Sequence, residues 1–388
     1  TVVRLTDDDR RRHVYIIGQT GTGKSVFLEN CIVQDMHMGK GLCFLDPHGD
    51  TAEKLMAKVP AHRLKDVIYF NPGDTEHPLG FNILEFDPAH PEQKDFLIQE
   101  AVSMFYKLYD PKGQGIVGPM FVDWFRNAAL TVMSDPAGGT LIEVPKLFTN
   151  DEFLKQKFRH VKDPVVQEFW TGQMAQTSEH SKSEMLGYFT SKFGDFANNE
   201  IMRNIIGQKQ SSFNLRDIMD GKKILFVNLS KGLLGDMNSK LLGIIFIIKF
   251  QMAAMSRADT EESQRQDFSL YIDEFQNYAT DSIATILSEA RKYRLTMVMA
   301  NQFISQLEES VRDAVFGNVG NMIGFRVGPE DAEFMAKQFA PAFDKDDIIN
   351  TPNHYAAARL INNGAVTPPF TLKEIMPPIG VANPQLYD

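Results

Sequence analysis

The run Gly18-Gln19-Thr20-Gly21-Thr22-Gly23-Lys24-Ser25 has the spacing G-x-x-x-x-G-K-[ST], and each residue type in it suits a polyphosphate. Glycines let a tight turn aim successive backbone N–H groups at phosphate oxygens. A helix starting at the turn adds the positive end of its dipole. The expected contacts are Gly18, Thr20, Gly21, Thr22, Gly23, Lys24, Ser25 and Val26. Lys24 reaches β- and γ-phosphate oxygens, and the Ser25 hydroxyl can ligate Mg2+. Much later in the chain, the apolar run Phe268–Ile272 ends in Asp273-Glu274. A carboxylate at a strand tip can hold Mg2+ through its water shell, and one beside it can take a proton from an attacking water. Asp273 is assigned to the metal and Glu274 to the base. Acidic residues after strands commonly cap the next helix, so the phosphate loop upstream is what gives the pair this meaning.

Gln302 follows the next apolar run, Thr296–Ala300, where an amide can orient the water and sense the γ-phosphate; an ordinary exposed loop glutamine is the plainer reading. Arg291, Lys292 and Arg294 cluster at the end of the preceding helix. Physics alone reads them as cations favoured at a helix C-terminus. An arginine reaching a neighbouring subunit's γ-phosphate would neutralise transition-state charge, and that role requires an oligomer. His48 lies in Asp46-Pro47-His48-Gly49-Asp50 after a second strand, with turn stabilisation as its default role and nearness to nucleotide as the sharper one. Neither H-E-x-x-H nor paired Cys/His spacing argues for zinc, and no G-x-S-x-G elbow argues for a hydrolytic triad.

These residues need a scaffold that brings strand tips together. His13–Ile17, Leu42–Leu45 and Val67–Phe70 read as buried strands alternating with helices such as Val26–Met38. That rhythm predicts βαβ units and a parallel sheet. From about Phe81 the pattern turns helical, with long amphipathic runs at Asp95–Leu108 and Met120–Met133 joined by Gly/Pro loops. The polar stretch Thr171–Ser183 reads as exposed or mobile. Strands return at Ile224–Asn228, Phe268–Ile272, Thr296–Ala300 and Met322–Val327, with helices at Asn238–Arg257, Ser282–Arg294 and Glu330–Phe339. A hairpin turn is expected at Asn362-Asn363-Gly364. The predicted organisation is a tail, 1–12, whose charges Asp7–Arg12 are solvated; a discontinuous α/β domain, 13–81 and 216–388; and an all-α insertion, 82–215.

Composition limits the partners. The 388 residues are 43% hydrophobic and carry a formal net charge of −10, which disfavours a protein that coats nucleic acid with a basic surface. The greasiest run, Leu241–Ile248, is interrupted by Lys249, short of the ~18 apolar residues of a spanning helix. Cys31 and Cys43 are the only cysteines and read as two buried thiols in a reducing compartment. No signal-peptide pattern opens the chain. Its first residue is Thr1, so a membrane anchor trimmed from the amino end is compatible with the reading.

Together these motifs resemble the HerA–FtsK superfamily of motor ATPases, and within it the TraG/TraD-like conjugative coupling ATPases of type IV secretion. The resemblance rests on Asp46–Asp50, on Asp273-Glu274 followed by Ser288-Glu289-Ala290-Arg291-Lys292-Tyr293-Arg294, on Gln302, on Val227–Gly232, and on the helical insertion after the early strands. It implies a RecA-like P-loop core with a mostly parallel central sheet. It further implies a homo-hexameric ring, ATP and Mg2+ at subunit boundaries, and DNA moved through a central pore. It maps Arg291 onto the trans-acting arginine. Type IV secretion components and relaxase-type or effector protein substrates are the implied partners. The implied location is the cytoplasm, at the inner face of the membrane through an anchor outside this sequence. Competing readings are a HerA-like translocase in DNA-end processing and a secretion docking platform gated by ATP hydrolysis. A small-molecule kinase is more distant.

Overall fold

The apolar, β-branched runs form the strands of one sheet. A computed structural model describes residues 3–280 and 282–375. Seven strands run parallel: β1 (Val14–Ile17), β2 (Gly41–Asp46), β3 (Val67–Phe70), β4 (Ile224–Asn228), β5 (Phe268–Ile272), β6 (Leu295–Asn301) and β7 (Asn321–Gly324). Two antiparallel strands extend one edge, β8 (Tyr355–Arg359) and, after a small hairpin of β9 (Ile361–Asn362) and β10 (Ala365–Val366), β11 (Phe370–Lys373). The order across the sheet is β11-β8-β7-β1-β6-β5-β2-β4-β3. Most residues of the parallel strands are buried, as expected when both faces of a parallel sheet are covered. Register aligns their carboxyl ends: Ile17 pairs with Asn301 and Gly324, Leu45 with Ile272, and Asp46 with Asn228.

Helix α1 (Asp7–Arg10) is capped by Thr6, and α2 (Lys24–His37) follows the glycine turn. Leu28, Ile32, Val33 and Met36 of α2 share a core with Ile16, Phe44, Val298 and Ala300. Each of these side chains larger than alanine contributes roughly 1.5–3 kcal/mol of transfer free energy. The α1 segment is not the solvated tail expected from its charges. Arg10 forks onto Asp35 (2.5 and 2.8 Å) and reaches the Tyr271 hydroxyl (2.9 Å), while Arg11 forks onto Asp267 (2.6 and 2.9 Å). Buried Asp9 accepts from the amides of Asn363 and Gly364, fastening the hairpin turn. These charges are matched across the fold, which a local charge pattern does not reveal.

The chain divides into two compact units. One comprises Thr1–Phe70, Leu215–Ser230 and Phe250–Asp388; the other comprises Asn71–Asn214 and Lys231–Lys249. These limits differ from 82–215. Residues 71–81 join the helical unit because Gly80 and Ser212 exchange hydrogen bonds and Phe81 stacks on Phe246 at 4.2 Å. Among the described residues no strand lies between Phe70 and Ile224. The helical unit is built on α3 (Gln93–Tyr109), α4 (Pro119–Met133) and shorter helices. Its core is aromatic: Phe105, Phe121, Phe189 and Phe193 form a chain of ring contacts 5.0–5.2 Å apart.

The helix Asp236–Ser256 runs through Lys249, as the expected helix Asn238–Arg257 does. The segment Asp236–Asp259 is long and apolar enough to cross a membrane, with a mean hydropathy of 1.5, but 78% of its apolar window is buried inside the protein. The Lys249 ammonium is satisfied by the Glu85 carbonyl at 2.6 Å, and burial lowers its pKa to about 8. A helix apolar all round serves here as a core helix.

His13, at the start of β1, is buried with a left-handed backbone (φ 61°). Its Nδ1 accepts from the Met297 amide, so Nε2 carries the proton and donates to the Leu287 carbonyl. Burial pushes its pKa down to about 4 from 6.5, against the pull of the Leu287 carbonyl. The unfolded chain therefore takes up this proton first. The stability His13 contributes should be complete above pH ~6.5 and decline by about 1.4 kcal/mol per pH unit towards pH 4. Urea unfolding of the parent and of His13→Asn, a residue that tolerates left-handed backbone, should show curves that converge across this window. Parallel curves would show that His13 does not titrate there.

Candidate functional site

Strand tips converge where β1 lies between β6 and β7, the position at which an open parallel sheet forms a crevice beyond its carboxyl ends. The turn after β1 is tied on both sides: Gly18 N–H donates to the Asn301 carbonyl (3.3 Å) and Gln19 N–H to the Arg326 carbonyl (3.0 Å). Gly21 takes a positive φ of 78° with open space around it, so backbone freedom and not crowding requires glycine there. Gly23 caps α2 with no side chain bonded to the first turn. The amides of Lys24, Ser25 and Val26 thus lack intrahelical acceptors and are left for an anion.

Lys24 is buried, and its ammonium lies 2.8 Å from Asp273 Oδ1 and 3.7 Å from Glu274 Oε1. Asp273 Oδ1 also accepts the Glu274 amide (3.0 Å), and Glu274 is held left-handed at φ 50°. Gln302 Nε2 donates to Glu274 Oε1 (2.7 Å), Gln276 Nε2 donates to Oε2 (2.6 Å), and the Thr20 hydroxyl donates to Gln302 Oε1 (3.2 Å). Thr20, Lys24, Asp273, Glu274 and Gln302 therefore form one connected group drawn from three strand tips. Ser25 is exposed on the first turn of α2.

Asp46, at the tip of β2, is buried and accepts from the amides of His48 (3.0 Å) and Ala52 (2.8 Å). Burial raises its pKa and the Asp273 charge adds to the rise, while these amides oppose it. His48 contributes this backbone bond; its side chain is exposed. Arg291 is not brought to the group. The expected helix Ser282–Arg294 stops at Glu289 and continues as a tighter 3-10 turn, Ala290–Tyr293, that leads into the amino end of β6. Since β6 and β1 are neighbouring parallel strands, Arg291 sits at their amino ends, opposite the carboxyl ends that carry its own phosphate loop. Its side chain is 46% exposed, 3.8 Å from Asp8, whereas Arg294 is 21% exposed beside Asp267.

Among the described residues no cluster of three or more His, Cys, Asp or Glu side chains could hold a metal. A hydroxyl at Ser25 and a single carboxylate at Asp273 are instead the donor set suited to Mg2+, which keeps waters and shares substrate phosphates. Motif reading does not reach Gln276, Arg326, His354 or Glu374. Arg326 enters through its main-chain carbonyl, which any residue type could supply, and the other three leave no local signal either. His354 N–H donates to the Thr22 carbonyl, and Glu374 approaches Gly23.

A phosphate loop on a mostly parallel sheet, with an acidic pair two strands away, defines a P-loop NTPase of RecA-like fold. Residues 139–318 match the family model of Type IV secretory system Conjugative DNA transfer, which bears out the resemblance carried by the motifs. The fold is shared with the bacterial conjugative coupling protein TrwBdeltaN70 in its unbound monoclinic form (17% identity over 97% of this chain and 87% of that one, TM-score 0.64). It is shared likewise with plasmid coupling protein TrwB in complex with ADP and Mg2+ (16%, 98% and 88%, 0.67) and with VirB4 of Thermoanaerobacter pseudethanolicus (15%, 100% and 93%, 0.62). No curated protein sequence matches this one.

Removing the buried Asp46 acceptor should leave two amides unsatisfied. Asp46→Ala is expected to lose about 1–3 kcal/mol in urea unfolding, and Asp46→Asn less, because one amide keeps an oxygen acceptor. Equal stability of all three proteins would show that the Asp46 bonds contribute nothing net.

Proposed function

We propose that this protein is an ATP-hydrolysing motor that moves DNA or nucleoprotein in conjugation or type IV secretion, acting as a homo-hexameric ring on the cytoplasmic side of the membrane. The observation that carries the reading is the Lys24–Asp273–Glu274–Gln302 group bonded to the phosphate loop. The conjugative-transfer match supports it, as does the fold shared with TrwB, solved in complex with an ATP analogue and with ADP and Mg2+.

The group's own charges favour a cation between it and a triphosphate. One ammonium faces two carboxylates, and Asp46 adds a third nearby. Mg2+, held by Ser25 and Asp273, would supply charge neutralisation at the β- and γ-phosphates. With the Gly18 amide taken by the Asn301 carbonyl and the Thr22 amide by the Gln19 carbonyl, the amides of Thr20, Gly21 and Gly23 to Val26 cradle the phosphates, and Lys24 moves from Asp273 onto their oxygens. Glu274 accepts a proton from the attacking water; a carboxylate has about four lone-pair sites, so the two glutamine amides leave room for it. Gln302, linked to both Thr20 and Glu274, registers the γ-phosphate and orients that water.

Arg291 cannot serve its own site from the amino ends of the strands, but a neighbour stacked head to tail would receive it. Repetition of such a heterologous contact closes a ring when the rotation allows. The protein's net negative charge confines DNA contacts to local loops.

Lys24→Ala should abolish turnover. Glu274→Gln should bind ATP normally while hydrolysis falls roughly 100-fold or more. Full activity in Glu274→Gln would refute the base assignment. Mixing inactive Arg291→Ala and Lys24→Ala subunits should restore partial hydrolysis, because each supplies what the other lacks; silence at every mixing ratio would remove the trans role. ATPase activity should rise with DNA and lose that stimulation steeply with added salt, whereas indifference to DNA would favour a docking platform.

A further inference from the structure

The flank of the phosphate loop away from Asp273 is closed by the ends of β8 and β11. His354, just before β8, has a left-handed backbone (φ 65°) and donates its N–H to the Thr22 carbonyl at 2.7 Å. Glu374, just after β11, donates its N–H to the His354 carbonyl (2.9 Å) and sets Oε2 2.7 Å from His354 Nδ1. The pair rests on Gly23. A Cβ there would lie 2.6 Å from Glu374 Oε2 and 3.2 Å from His354 Nδ1, so a side chain at position 23 would displace it. The Glu374 side chain is 1% exposed, and its Oε1 has no hydrogen-bond partner. Burial raises its pKa, and the hydrogen bond and charge of His354 oppose that rise. Asn30 of α2 donates to the Ile375 carbonyl at 2.9 Å, fastening the same segment to the helix behind the loop.

The Thr22–Gly23 peptide is where this geometry acts. In a trans peptide the C=O and N–H point in opposite directions. Engaging the Thr22 carbonyl with His354 turns the Gly23 N–H the other way, away from His354. With that bond lost, the unit could rotate, since Gly23 has no Cβ to resist it, and would present a carbonyl oxygen where a phosphate needs a donor. We infer that His354 and Glu374 are positioning residues that lock the Thr22–Gly23 peptide in its phosphate-accepting orientation. The inference rests on the nucleotide-site reading above and adds a second grip on the loop, on the flank opposite the hydrolytic carboxylates. Because the pair orients a binding amide and touches none of the groups at the γ-phosphate, its loss should weaken nucleotide binding far more than it slows turnover.

The test measures binding of the ATP analogue ADPNP with Mg2+ by calorimetry and, in parallel, steady-state ATPase kinetics on the full chain. Glu374→Ala is expected to raise Kd and KM about tenfold with kcat changed less than threefold. Glu374→Gln keeps an acceptor for His354 and should recover most of the affinity. His354→Asn keeps the left-handed backbone and its N–H but lacks the imidazole, and should fall between them; if Glu374→Ala does not fold, this variant decides. Unchanged Kd in folded Glu374→Ala or His354→Asn overturns the inference, and so does equal loss in Glu374→Ala and Glu374→Gln. A parent protein that binds no ADPNP, indistinguishable from Lys24→Ala, refutes instead the nucleotide-site reading itself.

Discussion

The buried contact between the Lys24 ammonium and the Asp273 carboxylate, at 2.8 Å, is the constraint on which the site depends. It joins residues 249 positions apart and two strands apart in the sheet, and water hardly reaches either of them. Desolvating two ions costs about as much as their attraction returns, so such a pair is poor support for stability as such. Its effect lies in placement. It fixes the head of α2 against the tip of β5, and β6 between them must end level with both. Gln302 can then bridge Thr20 and Glu274 only because the parallel register brings Asn301 beside Ile17.

That register also explains how the chain tolerates a helical unit of its own. The interruption leaves from β3, the edge strand, and the chain returns at β4 beside it, at the far side of the sheet from β7 and β8. Neither strand flanking the phosphate loop is interrupted. The loop is instead gripped from its two sides by separate parts of the α/β unit. The acidic tips of β5 and the Gln302 amide lie on one side, and Arg326, His354 and Glu374, which follow or precede β7, β8 and β11, lie on the other.

Much of the element order was legible along the chain. Parallel strands announce themselves as unbroken apolar runs, and Phe268–Ile272 and Ile224–Asn228 fall where those runs predict. The hairpin at Asn362-Asn363-Gly364 follows from turn chemistry alone. Boundaries set by distant partners were not legible. Arg10 and Arg11 look solvated until Asp35, Tyr271 and Asp267 are packed against them. Lys249 looks like an interruption of an apolar run until the Glu85 carbonyl satisfies it. The unit boundary moved from 82 to 71 because Gly80 and Phe81 find their partners in Ser212 and Phe246.

The sequence by itself determined what short-range physics controls: the glycine turn before Lys24, the helix it starts, the carboxylates ending an apolar run, and the alternation of strands with helices. These depend on backbone freedom and side-chain periodicity within a few residues, so they leave a local pattern. Only the tertiary structure decided that Gln302 touches Glu274 while Arg291 faces away, and that His354 and Glu374 reach the loop at all. Those outcomes follow from strand order and direction, which are set by hydrogen bonding and burial between segments hundreds of residues apart. A contact of that kind writes no periodicity into either of the segments that make it.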